Sequence, residues 1–217
     1  MTIICGVEEA GRGPVIGPLV MAGVNIDKDD EHLLVEMGVK DSKLLTPERR
    51  EALFDRIKQA AIKYEIIILS AEDVDNALLD PIMNLNWLEA ATSAKIIDLL
   101  IPDTAILDCP STNIPAYTEY VRNKLNHKVN LISEHKADVN YPIVGAASIL
   151  AKVTRDREIK KIKDRIRIDF GSGYPSDPRT VKFLNENYEK HKEIFRKTWV
   201  SYKRVVEKEK QKGLQEF

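Results

Sequence analysis

The 217-residue sequence has few cysteines and no long hydrophobic run, and each absence limits what the protein can be. Its two cysteines, Cys5 and Cys109, lack the spacing of metal ligands, so we expect buried, reduced thiols. Neither a signal peptide nor a long apolar segment is present. These features predict a soluble, cytoplasmic protein with no membrane partner.

The sequence also has little net charge and few histidines. The net charge is −1, so no global excess of basic residues indicates a nucleic-acid partner, and any basic surface must be local. His32, His127 and His191 fall in no motif, which argues against a histidine-based metal site. Without internal repeats or low-complexity linkers, a chain with 43% hydrophobic residues predicts one domain with an appended subdomain.

Near the start of the chain, a strand-like apolar run leads directly into two carboxylates, Glu8 and Glu9. Ionised glutamate is seldom buried without a partner, and a divalent cation is the obvious partner for two of them. The same residues also fit a strand that simply ends in solvent.

A glycine-rich loop follows these carboxylates. Gly11 and Gly13 flank Arg12, so that backbone N–H groups could approach a ligand closely. No Gly-Lys-Ser or Gly-Lys-Thr follows, which excludes a nucleotide-binding P-loop. An ordinary glycine turn remains the alternative interpretation.

Three separated segments resemble ribonuclease HII, the type 2 ribonucleases H. The first is Glu8-Glu9-Ala10-Gly11-Arg12-Gly13 followed by Gly17-Pro18, in which Glu8 stands where the family normally has Asp. The second is Leu107-Asp108-Cys109-Pro110, and the third runs from Glu134 through Asp138 to Val153. The resemblance extends from residue 3 to about residue 180.

The pattern of elements is similar to the fold of that family. Strands are predicted over 2–8, 17–27, 64–69, 104–108 and 128–132. The first three have short links that suit an antiparallel meander, whereas the last two alternate with helices, as parallel crossovers require. We therefore expect an α/β fold, a ribonuclease H-like five-stranded mixed sheet flanked by helices. The predicted domains are a catalytic domain (1–170), a helical C-terminal extension (171–210) and a tail (211–217).

The resemblance implies a catalytic site of four acids that bind divalent metal. These acids are Glu8, Glu9, Asp108 and Asp138, and the expected cofactor is Mg²⁺ or Mn²⁺, with two ions present during catalysis. Considered alone, Asp138 also fits a favourable charge at a helix N-terminus. Glu8 carries one more methylene than Asp, which moves its carboxylate by about 1.5 Å. Either the strand compensates or the metal preference and rate differ.

The resemblance also implies residues that bind substrate. The main chain of Gly11, Arg12 and Gly13 would detect the 2′-hydroxyl that distinguishes RNA from DNA, and Tyr174 would pack on the sugar beside the junction. Lys43, Ser148 and Lys152 complete the predicted contacts. Between residues 152 and 167, eight basic residues stand against three acidic ones. This segment could contact phosphates, or it could be a solvated helix face.

The function implied is that of an endonuclease that hydrolyses the RNA strand of RNA·DNA hybrids, including single ribonucleotides embedded in duplex DNA. It would leave 3′-hydroxyl and 5′-phosphate ends and remove ribonucleotides and primers during replication and repair, acting as a monomer. One alternative is another ribonuclease H-like nuclease, such as a junction resolvase. A second is a hybrid-binding protein whose metal site is crippled by Glu8.

The tail carries a separate motif. Gln211, Leu214 and Phe217 recur at every third position after a charged helix. This spacing resembles the peptide by which replication and repair enzymes bind the sliding clamp, although the usual second aromatic residue is missing. Alternatively, Leu214 and Phe217 pack back on the core.

Overall fold

The computed structural model describes residues 1–39 and 45–215, without the side chains of residues 212–215. In this part of the chain, five strands form one mixed sheet. The strands are β1 (Ile3–Ala10), β2 (Leu19–Asp27), β3 (Lys63–Leu69), β4 (Thr104–Asp108) and β5 (Asn130–Glu134).

The α-helices of the same described ranges differ widely in length. They are α1 (Glu31–Glu36), α2 (Pro47–Ala60), α3 (Ala71–Leu78), α4 (Leu85–Leu100), α5 (Ile114–Arg122), α6 (Ala137–Asn140), α7 (Pro142–Ile166), α8 (Pro178–Asn187) and α9 (Val200–Gln215). None of them is long and apolar enough to cross a lipid bilayer.

Local signals in the sequence start two of these helices. The hydroxyl of Thr46 accepts a hydrogen bond from the N–H of Arg49, and Pro47 occupies the first helical position of α2. At α3, Ser70 and Asp73 form a reciprocal capping box, with Ser70 Oγ 3.0 Å from the N–H of Asp73. These boundaries are therefore set within a few residues of the chain.

Several boundaries differ from the predictions by one or two residues. The first three strands were predicted over 2–8, 17–27 and 64–69, and they span Ile3–Ala10, Leu19–Asp27 and Lys63–Leu69. Tertiary contacts decide two further differences. The last strand was predicted over 128–132 but begins at Asn130, since its pairing with β4 starts there. The residue pattern predicts a helix over 178–192, but α8 ends at Asn187. The chain then turns so that Phe195, which is fully buried, can reach the core.

The sheet has the order β3-β2-β1-β4-β5, with β1 at its centre. β1 pairs antiparallel with β2 over its whole length, and parallel with β4 from Ile4↔Thr104 to Val7↔Leu107. β4 in turn pairs parallel with β5. The predicted five-stranded mixed sheet is confirmed, and the carboxyl ends of three parallel strands meet at one edge, where α/β sheets bind their ligands.

The chain forms two compact units. The first contains residues 1–10, 20–68 and 84–155, and includes the sheet. Its core is built from the apolar side chains of β1, β2 and β4, the buried side of α2, and the first half of α7. Cys5 and Cys109 are buried free thiols in this unit, as predicted, and burial raises the pKa of Cys5 to about 12.

The second unit combines residues 11–19 and 69–83 with the chain from residue 156 onward. It has its own core, in which Phe170, Phe183 and Phe195 pack together with Ile16 and Tyr202. Ile16 and Phe195 also form an isolated antiparallel β-bridge. The predicted domain boundaries after residues 170 and 210 stay predictions.

Within the first unit, β1 and α7 approach each other closely at Gly6. A Cβ atom placed on Gly6 would lie 2.4 Å from both the carbonyl carbon and the carbonyl oxygen of Ile143, at the start of α7. These are backbone atoms that cannot rotate away. Only glycine therefore permits this contact between the central strand and the helix.

We predict that Gly6→Ala lowers the free energy of unfolding by about 3 kcal/mol, because either the strand or the helix must shift to relieve the overlap. Urea denaturation measures the change. Gly13→Ala is the matched control, since its Cβ would meet its nearest neighbour at an ordinary 3.4 Å. Equal losses in the two variants would show that close packing at Gly6 is unimportant.

Candidate active site

Three of the four predicted acids lie where the pairing of β1 with β4 ends. The parallel register pairs Val7 with Leu107, so the next residues, Glu8 within β1 and Asp108 at the end of β4, lie side by side at this edge of the sheet. Glu8 is 6% exposed, while Glu9 and Asp108 are partly exposed. The arrangement follows from parallel pairing, which brings equivalent strand ends to one edge of the sheet.

The charges of these acids act strongly on each other. Burial raises the pKa of Glu8 well above its usual value, and the neighbouring charges of Glu9 and Asp108 raise it further. The N–H of Glu9, 2.5 Å from Glu8 Oε2, opposes this effect. The acids therefore form a cluster whose mutual repulsion a cation would relieve.

The fourth acid, Asp138, lies in the first turn of α6 and is 2% exposed. The N–H of its neighbour Ala137 donates a hydrogen bond to Asp108 Oδ1 at 3.1 Å. Ala137 thus contacts Asp108 directly, and Asp138 is the next residue in the chain. The structure brings all four predicted acids into one region of the first unit.

The donor chemistry of this cluster fits a hard divalent cation. Four carboxylates supply only oxygen ligands, which Mg²⁺ and Mn²⁺ prefer. In the described ranges, no three acidic, histidine or cysteine side chains are close enough to hold one ion together, so its coordination is not prearranged. The residues that would hold metal are Glu8, Glu9, Asp108 and Asp138.

The longer side chain of Glu8 is accommodated without a change in the strand. The pairing of β1 with β2 continues without a bulge from Ile3↔Asp27 to Ala10↔Val20. The Glu8 carboxylate instead folds back onto the N–H of Glu9. The extra methylene is therefore absorbed by the side chain and not by the backbone.

Buried polar residues that the sequence did not single out lie beneath the cluster. Glu89 and Tyr117 are almost completely buried, on α4 and α5. Burial raises the pKa of Tyr117, a hydrogen bond with Ser93 lowers it, and the charges of Glu9 and Glu89 raise it again. Glu89 lies within a helical apolar pattern, so only tertiary packing shows that its charge acts on Tyr117.

In the second unit, the glycine-rich loop is held by a buried arginine. Arg196 is 0% exposed, and its guanidinium donates to the carbonyl oxygens of Gly11, Arg12 and Gly17 at 2.6, 2.9 and 3.0 Å. Gly11 has a φ of +82°, which favours glycine there. Arg196 belongs to no sequence motif and follows the loop by about 180 residues, so sequence reasoning missed it.

Tyr174 lies beside this loop in the same unit. The carbonyl of Gly173 accepts hydrogen bonds from the N–H groups of Val15 and Ile16, at 2.9 and 3.3 Å. A Cβ atom on Gly13 would contact the Tyr174 ring at 3.4 Å, and the tyrosine is 38% exposed. The structure therefore brings Gly13 and Tyr174 together and leaves part of the ring accessible.

The Tyr174 loop is shaped by Asp177. Its carboxylate accepts hydrogen bonds from the N–H groups of Ser172 and Arg179 at 2.8 and 2.9 Å. These two bonds lower the pKa of Asp177 to about 2. A Cβ on Gly171 would strike the same carboxylate at 2.5 Å, so the turn requires glycine.

Ser148 and Lys152 lie four residues apart on one face of α7, in the first unit. Ser148 is buried and Lys152 is half-buried. Further along the predicted basic segment, Lys163 pairs with Asp169 at 2.7 Å and Arg165 with Glu193 at 3.4 Å. Two basic side chains of this segment therefore pair with acidic residues of the protein itself.

Some predicted residues fall outside this description. Lys43 lies outside the described residues, as do Phe217 and the side chain of Leu214. Gln211 is exposed on α9, which continues as a helix to Gln215. His135, the histidine that lies inside a family-like segment, has its Nδ1 2.8 Å from the carbonyl oxygen of Cys109.

Comparison with known proteins gives one consistent family. Residues 5–202 match the family model described as Ribonuclease HII. A ribonuclease HII from Pyrococcus abyssi is 44% identical over 216 residues, covering 97% of this chain and 94% of that protein.

Solved structures agree with this match. The ribonuclease H2 from Pyrococcus horikoshii OT3 has a TM-score of 0.87 and 39% identity, covering 95% of this chain and 98% of that one. The ribonuclease HII in a complex with PCNA from Archaeoglobus fulgidus has a TM-score of 0.78 and 41% identity, covering 85% of this chain and 86% of that one. With its five-stranded sheet and its match over nearly the whole chain, the protein belongs to the ribonuclease HII family of endonucleases, which hydrolyse the RNA strand of RNA·DNA hybrids.

Proposed function

We propose that this ribonuclease HII requires divalent metal and cuts both RNA·DNA hybrids and duplex DNA that contains a single ribonucleotide. The products would carry 3′-hydroxyl and 5′-phosphate ends. The observation that supports this proposal is the cluster of Glu8, Glu9 and Asp108 at the ends of β1 and β4, whose charges raise the pKa of Glu8. Removal of ribonucleotides and primers during replication and repair in the cytoplasm is the role that follows.

In this proposal, the four acids hold two cations and control their positions. Bound divalent cations would activate the attacking water and stabilise charge on the leaving oxygen. Glu8 and Asp108 act from adjacent strand ends, and Asp138 acts from a short helix tied to Asp108 through Ala137. Because Mg²⁺ and Mn²⁺ share this oxygen-ligand chemistry, both are proposed cofactors.

Recognition of the ribonucleotide is proposed for the loop of the second unit. Gly13 is exposed and has no side chain, so its backbone can approach a sugar closely. The accessible ring of Tyr174 beside it can pack on the next sugar. A 2′-hydroxyl accepts as well as donates hydrogen bonds, so backbone N–H groups can distinguish it from the hydrogen of deoxyribose.

We predict that Asp108→Asn and Glu9→Gln each lower the cleavage rate at least about a hundredfold, because each variant loses a charged metal ligand. Binding of an RNA·DNA hybrid should change little, since the fold is kept. Cleavage is measured on a duplex with one ribonucleotide, in Mg²⁺ and Mn²⁺ side by side. Glu36→Gln, on an exposed position of α1, is the control and should cleave normally.

Glu8→Asp completes this series and should keep or raise the rate in Mg²⁺, because it restores the shorter side chain. Inactivation would show that the site is built around glutamate. If wild-type protein binds the hybrid but does not cut it with either metal, the protein is a hybrid-binding protein and the proposed activity is wrong.

We predict that Tyr174→Ala reduces cleavage at a single embedded ribonucleotide about tenfold, and reduces cleavage of a long hybrid less. The difference arises because deoxyribose follows the cut only in the first substrate. Tyr174→Phe, which keeps the ring, should preserve the selectivity. Equal losses on both substrates would identify Tyr174 as a structural residue of its turn.

We also propose that the C-terminal tail binds a sliding clamp. The A. fulgidus relative was solved as a PCNA:RNase HII complex, and this chain places Gln211 on the exposed side of α9. Gln211, Leu214 and Phe217 would be the contact residues. Clamp binding would raise the local concentration of the enzyme at replicating DNA without altering its active site.

We predict that removal of residues 211–217 lowers clamp affinity at least tenfold and leaves cleavage without the clamp unchanged. Affinity is measured by calorimetry with the clamp of the same organism, and Leu214→Ala should reproduce much of the loss. Lys208→Ala is the control, since it lies outside the motif. Equal affinity of the full-length and truncated proteins would reject the proposal, and a lower melting temperature on truncation would favour packing of the tail on the core.

A further inference from the structure

We propose that Arg196 is a positioning residue that aims two successive backbone N–H groups, those of Arg12 and Gly13, toward the ribose 2′-hydroxyl. This inference rests on the proposed recognition of ribonucleotides by the glycine-rich loop. It assigns the cause of the loop's shape to one buried side chain in the second unit.

Four hydrogen bonds of Arg196 converge on one strip of backbone. Nη2 donates to the carbonyl of Gly11 at 2.6 Å, Nη1 to that of Arg12 at 2.9 Å, and Nε to that of Gly17 at 3.0 Å. Its own N–H donates to the carbonyl of Val15 at 2.8 Å. A planar guanidinium can serve three acceptors in fixed directions, which a lysine ammonium cannot do.

These bonds determine where the opposite side of each peptide points. In a trans peptide, the C=O of one residue and the N–H of the next are antiparallel. The Gly11–Arg12 and Arg12–Gly13 peptides are both trans. Since the carbonyls of Gly11 and Arg12 are turned to the guanidinium, the N–H groups of Arg12 and Gly13 point away from it.

Trp199 closes this set of carbonyl contacts. Its Nε1–H donates to the carbonyl of Gly13 at 3.2 Å, and its ring lies 4.7 Å from the guanidinium carbon of Arg196. The residue after Gly13 is Pro14, which has no N–H. Orienting the Gly13 carbonyl therefore orients no N–H group on the next residue. The loop presents two directed N–H groups, those of Arg12 and Gly13.

The segment that carries Arg196 is itself anchored. Asp75 of α3, 7% exposed, accepts hydrogen bonds from the N–H groups of Lys197 and Thr198 at 2.6 and 3.0 Å, and from the Thr198 hydroxyl at 2.6 Å. Bonds to a carboxylate are stronger than those to a neutral acceptor. Asp75 thus fixes the backbone next to Arg196, within the same unit.

The placement of Arg196 also strengthens the two donors it directs. A cation close to a carbonyl oxygen polarises the whole peptide group, and hydrogen bonds in such a chain reinforce each other. Burial removes competing water from the guanidinium, so this effect is not screened. The N–H groups of Arg12 and Gly13 are therefore both aimed and made better donors.

The test measures discrimination between ribose and deoxyribose. Full-length Asp108→Asn protein, which binds without cutting, is titrated with a DNA duplex that contains one ribonucleotide and with the matched all-DNA duplex. The quantity measured is the ratio of the two dissociation constants. Arg196→Lys added to this background should reduce the ratio about tenfold, since two directed hydrogen bonds are lost or weakened, while affinity for the all-DNA duplex stays within twofold.

Trp199→Phe is the matched control. It removes the bond to the Gly13 carbonyl and keeps an aromatic ring against Arg196, so it should perturb the same core but leave the ratio within twofold. Asp75→Asn keeps Arg196 and loosens its anchor, and should reduce the ratio about threefold. It provides the decisive measurement if Arg196→Lys does not fold, as judged by thermal melting.

The outcomes distinguish failure of the proposed recognition function from failure of the proposed role of Arg196. If the Asp108→Asn parent does not prefer the ribonucleotide duplex, the proposed recognition function fails. If the parent prefers it and the folded Arg196→Lys and Asp75→Asn variants show the same ratio, Arg196 is only a structural residue. A reduction by Trp199→Phe as large as that by Arg196→Lys would also overturn the proposal, because general loosening of the loop would then suffice.

Discussion

Parallel pairing between β1 and β4 is the interaction on which the candidate active site in the first unit depends. It places Glu8 and Asp108 at the same edge of the sheet, although they are 100 residues apart in the chain. Gly6, in the middle of β1, lets α7 pack directly on the strand's backbone. Like charges that repel one another are held together because each is fixed by a strand or helix that the core has already positioned.

The second unit holds a glycine-rich loop in a fixed shape, as the proposed recognition of ribonucleotides by its backbone requires. A flexible glycine loop would lose conformational entropy on binding a ligand. Here Arg196 and Trp199 take up the carbonyl side of the loop in advance, and Gly173 takes up the N–H groups of Val15 and Ile16. The loop therefore keeps the small size of glycine but loses its conformational freedom before any ligand binds.

Glu8 stands where the sequence resemblance predicts Asp. The structure accommodates the longer side chain by a fold-back onto the N–H of Glu9, within an undistorted strand. The carboxylate of Glu8 lies one methylene farther from the backbone than that of an Asp would, and it is strongly buried.

The sequence alone determined the elements and the candidate acids, because their causes are local. β-Branched runs, helix caps such as Thr46 and Ser70, and motifs of a few residues all act over less than two helical turns. The mixed character of the sheet also followed, since short links suit antiparallel pairs and helical crossovers suit parallel ones. Exact ends such as Asn130 and Asn187 did not, because pairing and packing with distant segments decide them.

Only the tertiary structure revealed Arg196, Asp75 and Glu89. Arg196 contacts a loop 179 to 185 positions earlier in the chain, and Asp75 contacts a segment 122 positions later. No periodicity or spacing records such a pairing, since any buried charge looks in sequence like one more surface residue. Sequence identified the candidate acids, and the fold decided which buried residues hold the glycine-rich loop and its anchor, because those contacts join segments that the sequence keeps far apart.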